Sequence, residues 1–187
     1  MARRRNFDEA DVLLRCMDAF WRRGFAETSV RHLERATGLK APSLYNAFGS
    51  KDALYLRALE LYVDLVGERF ASPMESAEAD LDTARGFFEA LDEGMRSAEA
   101  RPGCLAIHTN LGDFPSDDAA RLVSHYANRF RAAFANCTRA LPMGDHAAET
   151  LWLMTVGLNQ LHRTHGVGAD LQRAFAGVYA YLDLLAS

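Results

Sequence analysis

Thr28-Ser29-Val30-Arg31-His32-Leu33-Glu34-Arg35-Ala36-Thr37-Gly38-Leu39-Lys40-Ala41-Pro42-Ser43-Leu44-Tyr45-Asn46-Ala47-Phe48 is the stretch that decides the architecture. Thr28-Ser29 is an N-cap signal, because a side-chain hydroxyl accepts from the unpaired N–H groups of a helix's first turn. The helix it opens carries Val30, Leu33 and Ala36 inward and ends at Gly38, which tolerates the positive φ of a sharp turn. Leu39 supplies the apolar residue that plugs the turn's inside. Pro42, tolerated in a helix's first turn, opens a second short helix through Ser43, Leu44, Tyr45 and Phe48. Two short helices joined through Gly38-Leu39-Lys40-Ala41 have helix-turn-helix geometry.

The neighbouring segments extend the pattern. Upstream, Ala10, Leu13, Leu14, Met17, Phe20 and Trp21 form a helical stripe expected to face the pair, with Gly24 after Arg22-Arg23 as its stop. Downstream, Gly49-Ser50 breaks the second short helix and Ser50 caps a fourth, running through Leu54, Leu61 and Leu65 to about Phe70. Further helices are expected near 76–98, 104–113, 117–140, 144–165 and 169–186, separated by Pro102-Gly103, Pro115, Pro142 and Gly166/Gly168. No strand-like alternation persists, so the chain is read as all-α with about nine helices. A head over residues 6–66, containing the helix-turn-helix at about 29–48, is expected to join a body over 67–187.

Composition excludes several classes. No run approaches the ~18–20 apolar residues of a membrane-spanning helix. The basic first residues lead into Phe7-Asp8-Glu9-Ala10-Asp11, not into an apolar core, so no export signal is expected and the location is read as cytoplasmic. Cys16, Cys104 and Cys137 are odd in number and far apart, which fits reduced thiols better than a disulfide framework. The net charge of −4 over 187 residues argues at first sight against a polyanion as partner. Divided after Arg57, however, the chain carries +4 in its first part and −8 in the remainder. A basic head on an acidic body is the asymmetry expected when one end alone meets a polyanion.

On the second short helix, Ser43, Tyr45 and Asn46 would face outward, flanked by Lys40 and Lys51. Hydroxyl, phenol and amide groups on such a helix can enter a major groove while lysines hold phosphates on either side. The competing reading is a tight helix–helix turn within a ligand-binding or enzymatic bundle. Arg3-Arg4-Arg5 would then be either a basic arm on DNA or a solvated tail adding long-range attraction.

Phe20, Gly24, Thr28-Ser29-Val30, Ala36, Gly38-Leu39, Ser43-Leu44-Tyr45, Phe48, Ser50-Lys51 and Leu54 together resemble the N-terminal DNA-binding domain of the TetR family over about residues 7–60. The resemblance implies a homodimeric transcriptional regulator, usually a repressor, with a divergent ligand-binding and dimerisation body. It implies a phosphate contact from Thr28 or Ser29, a DNA face of Lys40, Ala41, Pro42, Ser43, Tyr45 and Asn46, and a backbone contact from Lys51. The partners it implies are a double-stranded operator, a second copy of the chain and a small-molecule effector. Four positions depart from the family pattern. Lys40 stands where a Ser or Thr cap is common, Asn46-Ala47 replaces an aromatic or histidine pair, and His32 takes the place of an acidic capping-box residue.

In the body, the last two helices would pair between subunits, with Leu151, Leu158, Phe175, Val178, Leu182 and Leu185 as core or interface. Phe87, Phe88, Phe130, Met95, Phe114, Tyr126 and Trp152 are bulky enough to wall an effector cavity, and Asn110, Thr155 and Asn159 could orient a ligand in it. Cys104, after Arg101-Pro102-Gly103 at an expected helix start, is either a sensing thiol or a small buried hydrophobe. Gly103-Cys104-Leu105 also resembles a TetR subgroup with members that respond to oxidants or electrophiles. His162 and His165 lack a third ligand at metal-site spacing and are expected to cap carbonyls or face solvent. No cofactor, metal or catalytic motif is expected, so the chain is not read as an enzyme.

Overall fold

The computed structural model describes residues 7–110 and 116–187, without the Asn110 side chain. The Arg3-Arg4-Arg5 arm, Asn110's ligand role and Phe114 therefore lie outside what is described. Within the described residues there are nine helices and no strand. They are α1 Glu9–Glu27, α2 Val30–Thr37, α3 Ala41–Phe48, α4 Lys51–Val66, α5 Leu81–Arg96, α6 Leu105–Asn110, α7 Asp117–Thr138, α8 Gly144–His165 and α9 Ala169–Leu185. Past Val66, α4 continues through one π-helical turn, Gly67–Ala71, and a last short piece, Ser72–Met74.

α1 to α3 and the first half of α4 pack around the head's part of an apolar core that continues into the body. Leu33 from α2, Leu44 from α3 and Phe20 from α1 are fully buried against Leu54 and Tyr55 of α4. Full burial of each such side chain stabilises by about 1.5–3 kcal/mol. Phe20 and Phe25 both meet the Tyr55 ring edge-on, at 4.9 and 5.0 Å between centroids. α1 buries Val12, Cys16, Ala19 and Phe20, while Leu14 is 44% exposed and Ala10 is exposed. The expected stripe was thus out of register over its first turns. Gly24 does break α1 (φ +79), but one further turn follows it before Thr28.

The body is built on α7 and α8, which pack along their length, with α9 against α8 and α5 on the flank. Leu151, Leu158, Phe175, Val178 and Leu182 are all buried inside the subunit and so are core. α6 touches α1, α4, α7 and α8 and so lies between head and body.

Candidate nucleic-acid interface and effector cavity

The start of α2 places two adjacent hydroxyls differently. Ser29 is the N-cap, its hydroxyl accepting from His32 N–H at 3.4 Å, and it is exposed. Thr28 is fully buried, donating to Gly24 O at 2.6 Å. Thr28 is therefore a structural tie and not a phosphate contact, which corrects the expectation for it. His32, in the place of an acidic residue, still completes the capping box, because Nδ1 accepts from Ser29 N–H at 3.1 Å.

α3 begins at Ala41 with Lys40 as an N-cap that makes no side-chain cap. The cap comes instead from α2, where the Glu34 carboxylate accepts from Ala41 N–H at 2.9 Å. Sequence reading missed this brace, which binds the two short helices across the turn. Lys40, Pro42, Ser43 and Asn46 are exposed on one surface, with Ala41 and Tyr45 half-buried beside them. Arg31 and Arg35, one turn apart on α2, are also exposed and form no salt bridge among the described residues, giving the helix pair two cations the sequence reading did not single out. Lys51 is half-buried, its ammonium 4.2 Å above the Phe25 ring, so it braces the head as well as edging this face.

Behind the head lies a cavity of about 890 Å³. Of the residues expected to line it, Met95, Cys104, Tyr126, Thr155 and Asn159 do, as do Phe87 and Phe130. Trp152 does not; it lines a separate groove of about 470 Å³ between α7 and α8. Phe88 is core, stacked on Phe134 with centroids 5.8 Å apart. Sequence reading missed the walls supplied by the head and its connection: Met17, Asp18 and Trp21 from α1, then Tyr62, Val66, Arg69 and Phe70 from α4. Their helical spacing was visible, but that one face of α1 turns away from the head core depends on the register corrected above.

The polar groups of the cavity are graded by depth. Around its mouth, Arg15, Arg69 and Arg101 mix with Asp18, Glu93 and Glu99. Burial works against the Asp18 carboxylate, but Arg22 and Arg101 outweigh it and hold its pKa below the ordinary value. Further in, Cys104 Sγ lies 3.4 Å from the Tyr126 hydroxyl and accepts weakly from Ile107 N–H at 3.5 Å. Burial, reinforced by Cys104, pushes the phenols of Tyr62 and Tyr126 well up, so both remain protonated hydrogen-bond donors. Asn159 donates to Thr155 O at 2.9 Å, and its side-chain oxygen meets no protein donor among the described residues.

The other two cysteines are packing. Burial raises Cys16 to about 12 and, with Asp80 adding, Cys137 to about 11, so neither forms a thiolate near neutrality. His162 is buried and its Nδ1 accepts from Gly103 N–H at 3.2 Å, so it neither caps its own helix nor faces solvent. His165 is exposed beside the Thr164 hydroxyl at 2.7 Å. Among the described residues no three His, Cys, Asp or Glu side chains group as a metal site, and no helix is long and apolar enough to cross a membrane.

Comparison with known proteins agrees with this architecture. Residues 16–58 match the family model for bacterial regulatory proteins of the tetR family. The HTH-type transcriptional repressor ComR of Escherichia coli (strain K12) is 31% identical over 128 residues, which are 67% of this chain and 61% of ComR. Among solved structures, a cysteine mutant of the TetR family regulator CifR, complexed with 26-bp double-strand operator DNA, superposes with a TM-score of 0.77. It is 26% identical, with 97% of this chain and 98% of that chain covered. A TetR-family regulator from Streptomyces coelicolor shares the fold at a TM-score of 0.79 and 18% identity, over 95% of each chain. With the braced helix pair, the separate cavity and these matches together, the chain belongs to the TetR family of bacterial regulatory proteins.

Proposed function

We propose that this chain is a homodimeric DNA-binding transcriptional regulator, a repressor released from a palindromic operator when a small molecule fills the cavity behind its head. The observation that carries the reading is the α2–α3 face. It exposes Ser29, Lys40, Ser43 and Asn46 together with Arg31 and Arg35, on two helices braced by Glu34. Ser29 and the first N–H groups of α2 suit a phosphate, and α3 suits a major groove. The exposed Asn46 amide suits an adenine edge, with the half-buried Tyr45 beside it. ComR is a repressor by name and CifR is solved on operator duplex, which supports the same reading here. The reading places the protein in the cytoplasm with its operator and assigns no catalytic residue.

Selection of bound fragments from sheared genomic DNA, followed by sequencing and gel shift, tests it. A shared palindrome and steep salt dependence of its affinity are expected. Absence of any sequence-selective retardation at moderate salt would return the chain to the bundle reading, in which the turn is structural.

A second reading concerns the effector. Cys104 lines the cavity between two phenols, so an electrophile entering it would meet a thiol. Cys104→Ser is then expected to keep operator binding and lose release by a reactive aldehyde or oxidant. An unaltered response removes the thiol from the mechanism and leaves non-covalent occupancy.

A further inference from the structure

Four interactions converge on the turn between α5 and α6. The Trp21 indole N–H donates to Gly103 O at 2.9 Å. Arg163 of α8 donates to both Trp21 O, at 3.2 Å, and Pro102 O, at 3.1 Å. Gly103 N–H donates to His162 Nδ1 at 3.2 Å. Arg101 pairs with Asp18, one helical turn before Trp21. The turn is thus tied to the head through α1 and to the body through α8.

These two attachments differ in stiffness. Toward α8 the turn is pressed home: Gly103 has φ +63, and a Cβ on it would stand 2.5 Å from Asn159 O. Toward α1 it is held by long side chains, the Arg101–Asp18 pair at the mouth of the cavity and Trp21 on its wall. Trp21 stands edge-on to Tyr62 with centroids 4.7 Å apart, and Cys104 follows Gly103 along the adjoining wall. A molecule wedged between Trp21 and Cys104 therefore displaces the indole more readily than the turn. Trp21 carries α1 with it. Three residues on, Gly24 O is bonded to the Thr28 hydroxyl, and Thr28 leads directly into the N-cap of α2.

We propose that Trp21 is the coupling residue of the switch: the indole hydrogen bond to Gly103 is the joint through which occupancy of the cavity reaches the DNA-binding face. This rests on the function proposed above, and Trp21 acts by position, not by touching DNA. Trp21→Phe keeps a ring against Tyr62 and removes the N–H.

The test uses N-ethylmaleimide as the probe, its adduct at Cys104 confirmed by intact mass and peptide mapping, and a duplex recovered by the genomic selection. In the unsubstituted protein the adduct should weaken duplex binding at least about fivefold, within the usual range of coupling between two sites. Trp21→Phe should bind the duplex about as tightly before modification, and the same adduct should then change its affinity less than about twofold. A residue that merely supported the fold would lower the melting temperature and basal affinity without altering that ratio.

Equal weakening in both proteins overturns the proposal. So does failure of Cys104 to react, because the cavity would not then open onto the joint. Selective duplex binding that no adduct disturbs overturns the coupling but leaves the DNA-binding reading standing, whereas no selective binding by either protein sinks that reading itself. A second measurement does not depend on Trp21→Phe folding. In Trp152→Phe, Trp21 is the remaining indole, and its emission should shift on adduct formation and shift back with saturating duplex; constant emission overturns the joint.

Discussion

Thr28 and Ser29 are adjacent hydroxyls of similar chemistry, yet one is fully buried and the other caps α2 in solvent. A cap signal in the sequence was legible; which of two adjacent hydroxyls provides it was not, because that depends on how α1 ends. It ends at Gly24, whose φ of +79 and ψ of 170 suit glycine, and where a Cβ would meet His108 Nε2 at 2.9 Å. Gly24→Ala is expected to cost about 1–3 kcal/mol, read as a shift in denaturant midpoint. Histidine protonation gives a second prediction at this scale. Burial, then the charge of Arg163, lowers His108; burial lowers His162 against the opposing effect of a hydrogen bond to the Met95 backbone. Both are held neutral in the fold, so the unfolded chain binds more protons once pH drops below its own histidine pKa of about 6.5. Stability should therefore be full above that value and fall as pH falls through it. His162→Gln, whose side-chain oxygen can still accept from Gly103 N–H, should flatten that acid limb in denaturation curves.

Among the elements, helix positions followed from apolar spacing and from Gly and Pro punctuation, which are local signals. Two devices were not local and escaped. The first is the Glu34 cap on α3, formed between residues seven apart across a turn. Glu34→Ala should cost about 1 kcal/mol, as cap removals do, and should speed amide exchange at the start of α3 more than elsewhere. Since α3 carries Ser43, Tyr45 and Asn46, operator affinity should weaken alongside. The second is the π-turn at Gly67–Ala71. Arg129 from α7 grips this stretch, bonding Ser72 at 3.0 Å and Glu75 at 2.7 and 2.9 Å. Nothing in Gly67-Glu68-Arg69-Phe70-Ala71 announces the extra residue in the turn, because its partner lies more than fifty positions away. A π-turn beside a cavity is a common association, and here it sets Arg69 and Phe70 on the cavity wall.

For the whole molecule, the split of charge into a +4 head and a −8 body predicts an orientation, with the body held away from phosphates. Lys40→Ala should lower operator affinity across all sequences and reduce the salt slope by about 1, whereas Asn46→Ala should cost about 1–3 kcal/mol and relax the choice of base. The surface left for a second copy was only half legible. Phe175, Val178 and Leu182 of α9 proved to be core, Leu185 is half-buried, and the large apolar residues left outside on the last two helices are Leu153, 59% exposed, and Leu184, 69% exposed. Periodicity identified the apolar stripe, but only the packing of α8 against α7 decided which residues it left over. Leu184→Lys is expected to yield a particle of 20.7 kDa in sedimentation and to abolish tight operator binding, since two heads must reach grooves ~34–36 Å apart.

The joint at Trp21 also implies an order of assembly. It links residues 82 positions apart through Gly103 and 142 apart through Arg163, whereas Phe20, Leu33, Leu44 and Leu54, which pack the head, all come from α1 to α4. Closing long loops is entropically costly, and domains of a growing chain fold N-terminal first. On the ribosome, therefore, the DNA-binding face is complete before Arg163 has been synthesised. Each new molecule passes through a stage in which it has its means of holding DNA and not yet its means of letting go.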